Sequence, residues 1–149
     1  MASFTRVLVG TDGSPSSFRA VERAASIAAD AGATLHLVSA YRPLPEKDRR
    51  RAAEELGDLA YKVNGSTPAE EALAEAEGIA QKAGATSIEK HAIEGDPVDV
   101  LVEAASKHSA DLLVIGNRGL NSISGRILGS VPQNVSHRAA VDVLIVHTV

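Results

Sequence analysis

Gly116-Asn117-Arg118-Gly119, followed after nine further residues by Gly129-Ser130, is the stretch of this chain best suited to chemistry. It follows an apolar run, Leu112-Leu113-Val114-Ile115, and leads into a segment with helical character. Glycines at such a junction let the backbone turn with positive φ and come close to a ligand. A Ser at the following helix start adds a hydroxyl beside N–H groups that lack partners within the helix and favour an anion. Strand, glycine loop and helix start together predict a phosphate cradle. Arg118 and Arg126 fall inside the loop, either meeting phosphate oxygens or standing as solvated surface charges.

A second cluster is Gly10-Thr11-Asp12-Gly13-Ser14, again directly after an apolar run. Asp-Gly is a common turn pair, and Asp12 can hydrogen-bond within such a turn. A carboxylate at a strand end is equally available to a ribose hydroxyl, an adenine amine or a magnesium ion. Other chemistries fail on spacing. No Gly-x4-Gly-Lys-Ser/Thr loop is present, and Gly10-x2-Gly13 lacks the third glycine of a dinucleotide fingerprint. Ser14, Ser16 and Ser17 make no nucleophile elbow. An acidic pair after the first strand, which a response regulator needs, is reduced to Asp12 alone. The five histidines, His36, His91, His108, His137 and His147, show no metal-ligand spacing, so surface or packing roles are expected and no metal set is assigned. No catalytic set is assembled either.

The elements that must position these residues alternate from end to end. Arg6 to Gly10 reads as a short buried strand, and Ser14-Pro15 as an N-cap with proline at the first helical position. Phe18, Val21, Ala25 and Ala28 follow at helical spacing, with Gly32 placed to end the helix. Thr34 to Ala40 is the second strand. The segment from Pro43 to Ser66 is the least regular, with helix expected over Asp48 to Val63. Thr67-Pro68-Ala69-Glu70 has capping-box spacing and opens a helix that stops at Gly84. Ala-Gly-Ala-Thr occurs at both Ala31–Thr34 and Ala83–Thr86, each time where a helix hands over to a strand.

Ser87 to Ile93 is a third, more polar strand, and Asp96-Pro97 starts a helix carrying Val98, Leu101, Val102 and Ala105 on one face. The fourth strand is expected over Asp111 to Ile115 and the fifth over Val141 to His147, with a helix from about Pro132 to Ala139 between them. Alternation with near-continuous apolar strands predicts an α/β fold: a doubly wound, five-stranded parallel sheet with helices on both faces. Ligands bind such sheets outside the carboxyl ends of the strands, where strand order reverses. Both glycine-rich loops lie on that side.

The bulk numbers narrow the field. A chain of 149 residues predicts one domain spanning 1–149. With net charge −4, neither nucleic acid nor an anionic membrane is an expected partner. The cationic run Lys47 to Arg51 is balanced by Glu54, Glu55 and Asp58, as on a solvated helix face. Cysteine is absent, which excludes disulfides, thiolate catalysis and Cys-ligated metal. Phe4, Phe18, Tyr41 and Tyr61 are too few aromatics for a base-stacking platform. Without an apolar targeting segment or spanning run at its start, the chain is expected in the cytoplasm.

Val9 to Ser14, Gly116 to Ser130 and the closing strand Val141 to Val146 together resemble a single-domain universal stress protein over essentially the whole chain. The resemblance implies an adenine nucleotide alpha hydrolase-like fold, with ATP or cyclic AMP as ligand and magnesium possible with ATP. Members that bind ATP carry Gly-x2-Gly-x9-Gly-Ser/Thr, complete here. By that likeness, Asp12 and the backbone near Ser39 and Ala40 hold adenosine, beside Gly10 and Thr11 of the same turn. Gly116 and Gly119, flanking Asn117 and Arg118, let the loop close over ribose and phosphate. Gly129, Ser130 and Val131 offer N–H groups to phosphate, Ser130 also its hydroxyl, with Arg126 nearby. Asn121-Ser122 is a polar pair that alters the fit for a triphosphate.

The expected function is therefore an adenine-nucleotide-binding stress or signalling protein that works by ligand binding. The alternatives are a slow magnesium-dependent ATP hydrolase and a ligand-free interaction module. Val143 to Val149 is an apolar edge, expected to pair with its two-fold copy in a homodimer, as the likeness also implies.

Overall fold

The computed structural model describes residues 3–42, 67–117 and 130–148. The helix expected over Asp48 to Val63 lies outside the described residues. Within them the chain runs β1 (Arg6–Gly10), α1 (Pro15–Ala31), β2 (Thr34–Tyr41), α2 (Thr67–Lys82), β3 (Ile88–Glu94), α3 (Pro97–Lys107), β4 (Leu112–Gly116), α4 (Ser130–Arg138) and β5 (Asp142–Val146). All five strands are parallel, in the order β3-β2-β1-β4-β5. The expected doubly wound sheet is the observed one.

Burial explains why the strands read as they do. Alternate residues Val7, Val9, Leu35, Leu37, Leu112 and Val114 face α1 and α2, while Leu8, Val38, Leu113 and Ile115 face α3 and α4. The three central strands are thus covered on both faces and apolar almost without a break. The outer strands, β3 and β5, are only half covered, which accounts for the polar residues in Ile88–Glu94. With so few aromatics, the core is built from Val, Leu and Ala. The buried stripes of α1 (Ala20, Val21, Ala24, Ala25, Ala28) and α2 (Ala69, Ala72, Leu73, Ala76, Ala80) are small enough for the two helices to lie close together.

Helix boundaries follow their local chemistry. Ser14 caps α1 by accepting from Ser17 N, and Asp96 caps α3 by accepting from Val98 N, each followed by proline. The two Ala-Gly-Ala-Thr copies make the same turn. Gly32 (φ 68°) and Gly84 (φ 105°) adopt the left-handed conformation that ends a helix. The next N–H then reaches back, Ala33 to Ala28 O at 2.8 Å and Ala85 to Ala80 O at 3.1 Å. α4 begins at Ser130, ahead of the expected Pro132. Proline fits a first turn, where its missing N–H has no helical partner to lose.

The amino ends of β1 and β4 are clamped by Asp111. Its Oδ2 accepts from Thr5 N (2.8 Å) and Thr5 Oγ1 (3.0 Å), its Oδ1 from Arg6 N (3.0 Å), and its own N–H donates to Arg6 O (2.9 Å). Burial on its own would raise the Asp111 pKa, but the hydrogen bonds from Thr5 and Arg6 outweigh it and hold the pKa below the ordinary 3.8. A depressed carboxylate stabilises the fold above its unfolded pKa, and that contribution is lost as pH falls through the folded value. Asp111→Asn is therefore expected to cost about 1 kcal/mol at pH 7, at the low end because the group is partly solvated. Urea unfolding of both proteins should show the gap closing below about pH 3.5; a gap independent of pH would remove the charge from the clamp.

Candidate functional site

In a parallel sheet the helices run back against the strands, so α1, α2, α3 and α4 all begin at the carboxyl end. That end collects their unpaired N–H groups and partial positive charge. From β1 the chain first adds β2 and β3 on one side, then returns to place β4 and β5 on the other. The reversal lies between β1 and β4, whose last paired residues are Val9 and Val114. Two residues further along each strand stand Thr11 and Gly116. The two loops singled out by composition therefore leave the sheet side by side.

The Gly10–Ser14 turn is held from within. Thr11 is 1% exposed: its N–H donates to Val38 O (2.9 Å), and its hydroxyl lies 2.7 Å from Ser17 Oγ and accepts from Gly13 N (3.1 Å). Thr11 is thus a fixed strut. Asp12 points outward, with Oδ1 accepting from Ser14 N at 2.9 Å; Oδ2 has no hydrogen-bond partner among the described residues. A Cβ on Gly10 would lie 2.8 Å from Leu101 Cδ2, so a larger residue there would have to displace the end of that buried α3 side chain.

Asp12, Ser39, Ala40, Tyr41, Arg42, Pro68 and Ala69 line a cleft of about 250 Å³ beside this turn. Ser39 is buried and Ala40 partly exposed, so the end of β2 offers mainly backbone to a ligand. Arg42 pairs with Asp96 across the rim at 3.3 Å; both are solvated, so the pair is weak. A larger groove of about 600 Å³ runs between the middle of α1 and the end of β5. It is walled by charges of both signs, Arg19, Glu22, Arg23 and Asp30, and no helix start is among its described lining residues. The smaller cleft instead presents the Asp12 carboxylate and the end of β2.

On the β4 side, Asn117 N donates to Val146 O (2.8 Å), while Asn117 Oδ1 accepts from both Thr148 N (2.9 Å) and Thr148 Oγ1 (3.0 Å). Its amide nitrogen lies 3.3 Å from His147 Nδ1. The Asn117 side chain thus staples the exit of β4 to the exit of β5. Ser130 and Val131 open α4, in the first turn where N–H groups are free of helical partners. Arg118, Gly119, Arg126 and Gly129 lie outside the described residues, as does the pair Asn121-Ser122.

This arrangement has close parallels. The family model described as "Universal stress protein family" matches residues 3–147. The chain belongs to the universal stress protein family. Universal stress protein Rv1636 from Mycobacterium tuberculosis is 55% identical over 148 residues, covering 99% of each chain. A crystal structure of a universal stress protein in complex with cAMP is 46% identical, covers 99% of this chain and 100% of that one, and superposes with a TM-score of 0.75. The UspA structure from Lactobacillus plantarum, 23% identical with a TM-score of 0.76 over 98% of this chain and 99% of that one, shows that the fold outlasts the sequence.

In this universal stress protein, then, sequence located the two loops but not what holds them. The Asn117–Thr148 and Gly10–Leu101 contacts join residues far apart in the chain and carry no local signal. Nor does any spacing announce that His36, His91 and His108 meet, although the fold brings their ring nitrogens within 4.8 Å of one another. Asn117→Ala removes two accepted hydrogen bonds and is expected to destabilise the protein by about 1–2 kcal/mol. It should also speed amide exchange at Thr148, whose N–H loses its acceptor; unchanged exchange there would mean that the staple carries no stability.

Proposed function

We propose that this universal stress protein binds an adenine nucleotide, with cyclic AMP as the leading ligand, in the crevice between the carboxyl ends of β1 and β4. The observation that carries the reading is the register at the switch point, where the Thr11–Asp12 turn stands beside Gly116. A relative of 46% identity solved with cAMP supports the ligand class. Asp12, through Oδ2, takes a ribose hydroxyl or the adenine amine, and the backbone at Ser39 and Ala40 lines the adenosine cleft. Gly116 lets the following loop approach ribose and phosphate. The N–H groups of Ser130 and Val131, with the Ser130 hydroxyl and the loop residues Gly119 and Gly129, receive phosphate at the helix dipole's positive end. Asn117 anchors the loop's root, and the loop sequence carries two cations, Arg118 and Arg126, to offer phosphate.

The protein works as a binder in stress response or signalling, its output being the conformation or the sequestration of the nucleotide. ATP with magnesium shares the adenosine contacts and differs in the reach and charge of its phosphates. Calorimetric titration of nucleotide-stripped protein with cyclic AMP and with ATP–magnesium is the test. Cyclic AMP is expected to bind more tightly, with Asp12→Ala and Gly116→Val each weakening it roughly tenfold or more. Heat from neither nucleotide would overturn the reading.

The exposed edge supports a second, compatible proposal. β5 ends the sheet with Val143, Leu144 and Ile145 only partly covered, and Leu144 is 36% exposed. We infer that two copies pair along Val143 to Val149, burying an edge that would otherwise template aggregation. Light scattering at micromolar concentration is expected to give a dimer mass, shifted towards monomer by Leu144→Lys. A monomer mass for the unaltered chain would refute the pairing.

A further inference from the structure

His36, His91 and His108 come from three different elements and meet on one face of the sheet. His36 is in β2, His91 in β3 and His108 caps the carboxyl end of α3. His36 Nδ1 and His91 Nε2 are 3.0 Å apart. The rings of His91 and His108 stack with centroids 4.2 Å apart, and His36 lies 5.3 Å and 5.1 Å from the two. His36 is buried, while His91 and His108 are partly exposed along the outer strand, so one side of the cluster is open to solvent. Strand register puts the cluster three to four residues, roughly 10 Å, below the Ser39–Ala40 end of β2. It is separate from the nucleotide crevice.

We propose that these three imidazoles form a binding site for a divalent transition metal of the zinc class, with water in the fourth position. Three nitrogen donors without a thiolate suit Zn(II), Co(II), Ni(II) or Cu(II), and do not suit the oxygen-seeking Mg(II) or Ca(II). Zn–N bonds of about 2.0–2.1 Å place tetrahedral ligand nitrogens about 3.3 Å from one another. The His36–His91 pair already stands at 3.0 Å, and the widest separation within the set is below 4.8 Å. Without an ion, one of His36 Nδ1 and His91 Nε2 donates to the other; capture of an ion replaces that hydrogen bond, its proton leaving to solvent or to the other ring nitrogen, and turns His91 and His108 about χ2, a soft torsion for imidazole.

Protonation and surroundings favour the same use. Burial is the main force lowering the pKa of both His36 and His91. For His36 the Glu89 carboxylate opposes it, while His108 and Arg6 add to it; for His91, His108 and His36 add to it, Glu89 opposes it, and Lys107 adds a little. Both rings are therefore neutral at pH 7, each with a lone pair to give. His36 Nε2 faces Glu89 Oε2 at 3.8 Å. The nearby carboxylate favours a proton on Nε2, which leaves Nδ1 for the metal, although at 3.8 Å the contact is electrostatic and not a hydrogen bond. The negative end of the α3 dipole lies at His108 and favours a cation, whereas Arg6 and Lys107 oppose one from exposed positions where water screens them.

Zinc competition against a chromogenic chelator, with Co(II) as optical probe, tests the site on the full chain. One equivalent is expected, with the visible absorption of four-coordinate Co(II). His91→Gln and His108→Gln should each weaken zinc at least tenfold, while His137→Gln leaves it unchanged. Cyclic AMP affinity should not move in any of the three. His108 sits at a partly exposed helix cap, so its variant keeps the test valid if the strand variant fails to fold. No zinc binding, or equal binding by wild type and His108→Gln, would overturn the proposal.

Discussion

Everything at the functional end of this molecule depends on β1 being held in the middle of the sheet. It is paired on both edges, with β2 and β4, and Val7, Leu8 and Val9 are fully buried between helices on both faces. A parallel sheet that starts in the middle must grow first to one side and then to the other. The connections leaving β1 and β4 consequently diverge, and a crevice opens between them with helix N-termini on its walls. The crevice thus follows from strand order. The loop residues only have to exploit it.

That constraint gives the individual site residues their different characters. Thr11 and Gly10 serve the scaffold, one through a buried hydroxyl network with Ser17 and Gly13, the other by making room for Leu101. Asp12 is the side chain of that turn whose Oδ2 has no hydrogen-bond partner among the described residues. Asn117 uses its side chain to tie β4 to Thr148, which fixes where the following loop begins. Recognition through backbone N–H groups on such a frame needs little net positive charge, which fits a chain of formal charge −4. At the other end of the sheet, the His36–His91–His108 cluster faces solvent past β3, where edge exposure makes polar residues affordable.

Most of the fold was legible because its signals are local. Ser14-Pro15 and Asp96-Pro97 announce helix starts, Gly32 and Gly84 announce stops, and strands buried on both faces read as unbroken apolar runs. The start of α4 was harder, because Pro132 marks a first turn without saying which of its positions it occupies. Of the candidate site, the turn at Gly10 to Ser14 and the strand end at Gly116 were placed from sequence, since turn chemistry and position after a strand are sequence properties. Invisible were contacts between distant residues: Asn117 with Thr148, Gly10 with Leu101, and three histidines spaced 55 and 17 residues apart that only the β2–β3 register and the end of α3 bring together.

The central claim is that nucleotide is held where β1 and β4 diverge. Amide chemical-shift mapping during a cyclic AMP titration tests it most directly. The account predicts shifts concentrated at Gly10 to Ser14, Ser39 to Arg42, Gly116 to Asn117 and Ser130 to Val131, with His36, His91 and His108 unmoved. Shifts confined to the groove between α1 and β5, or spread evenly over the protein, would contradict it.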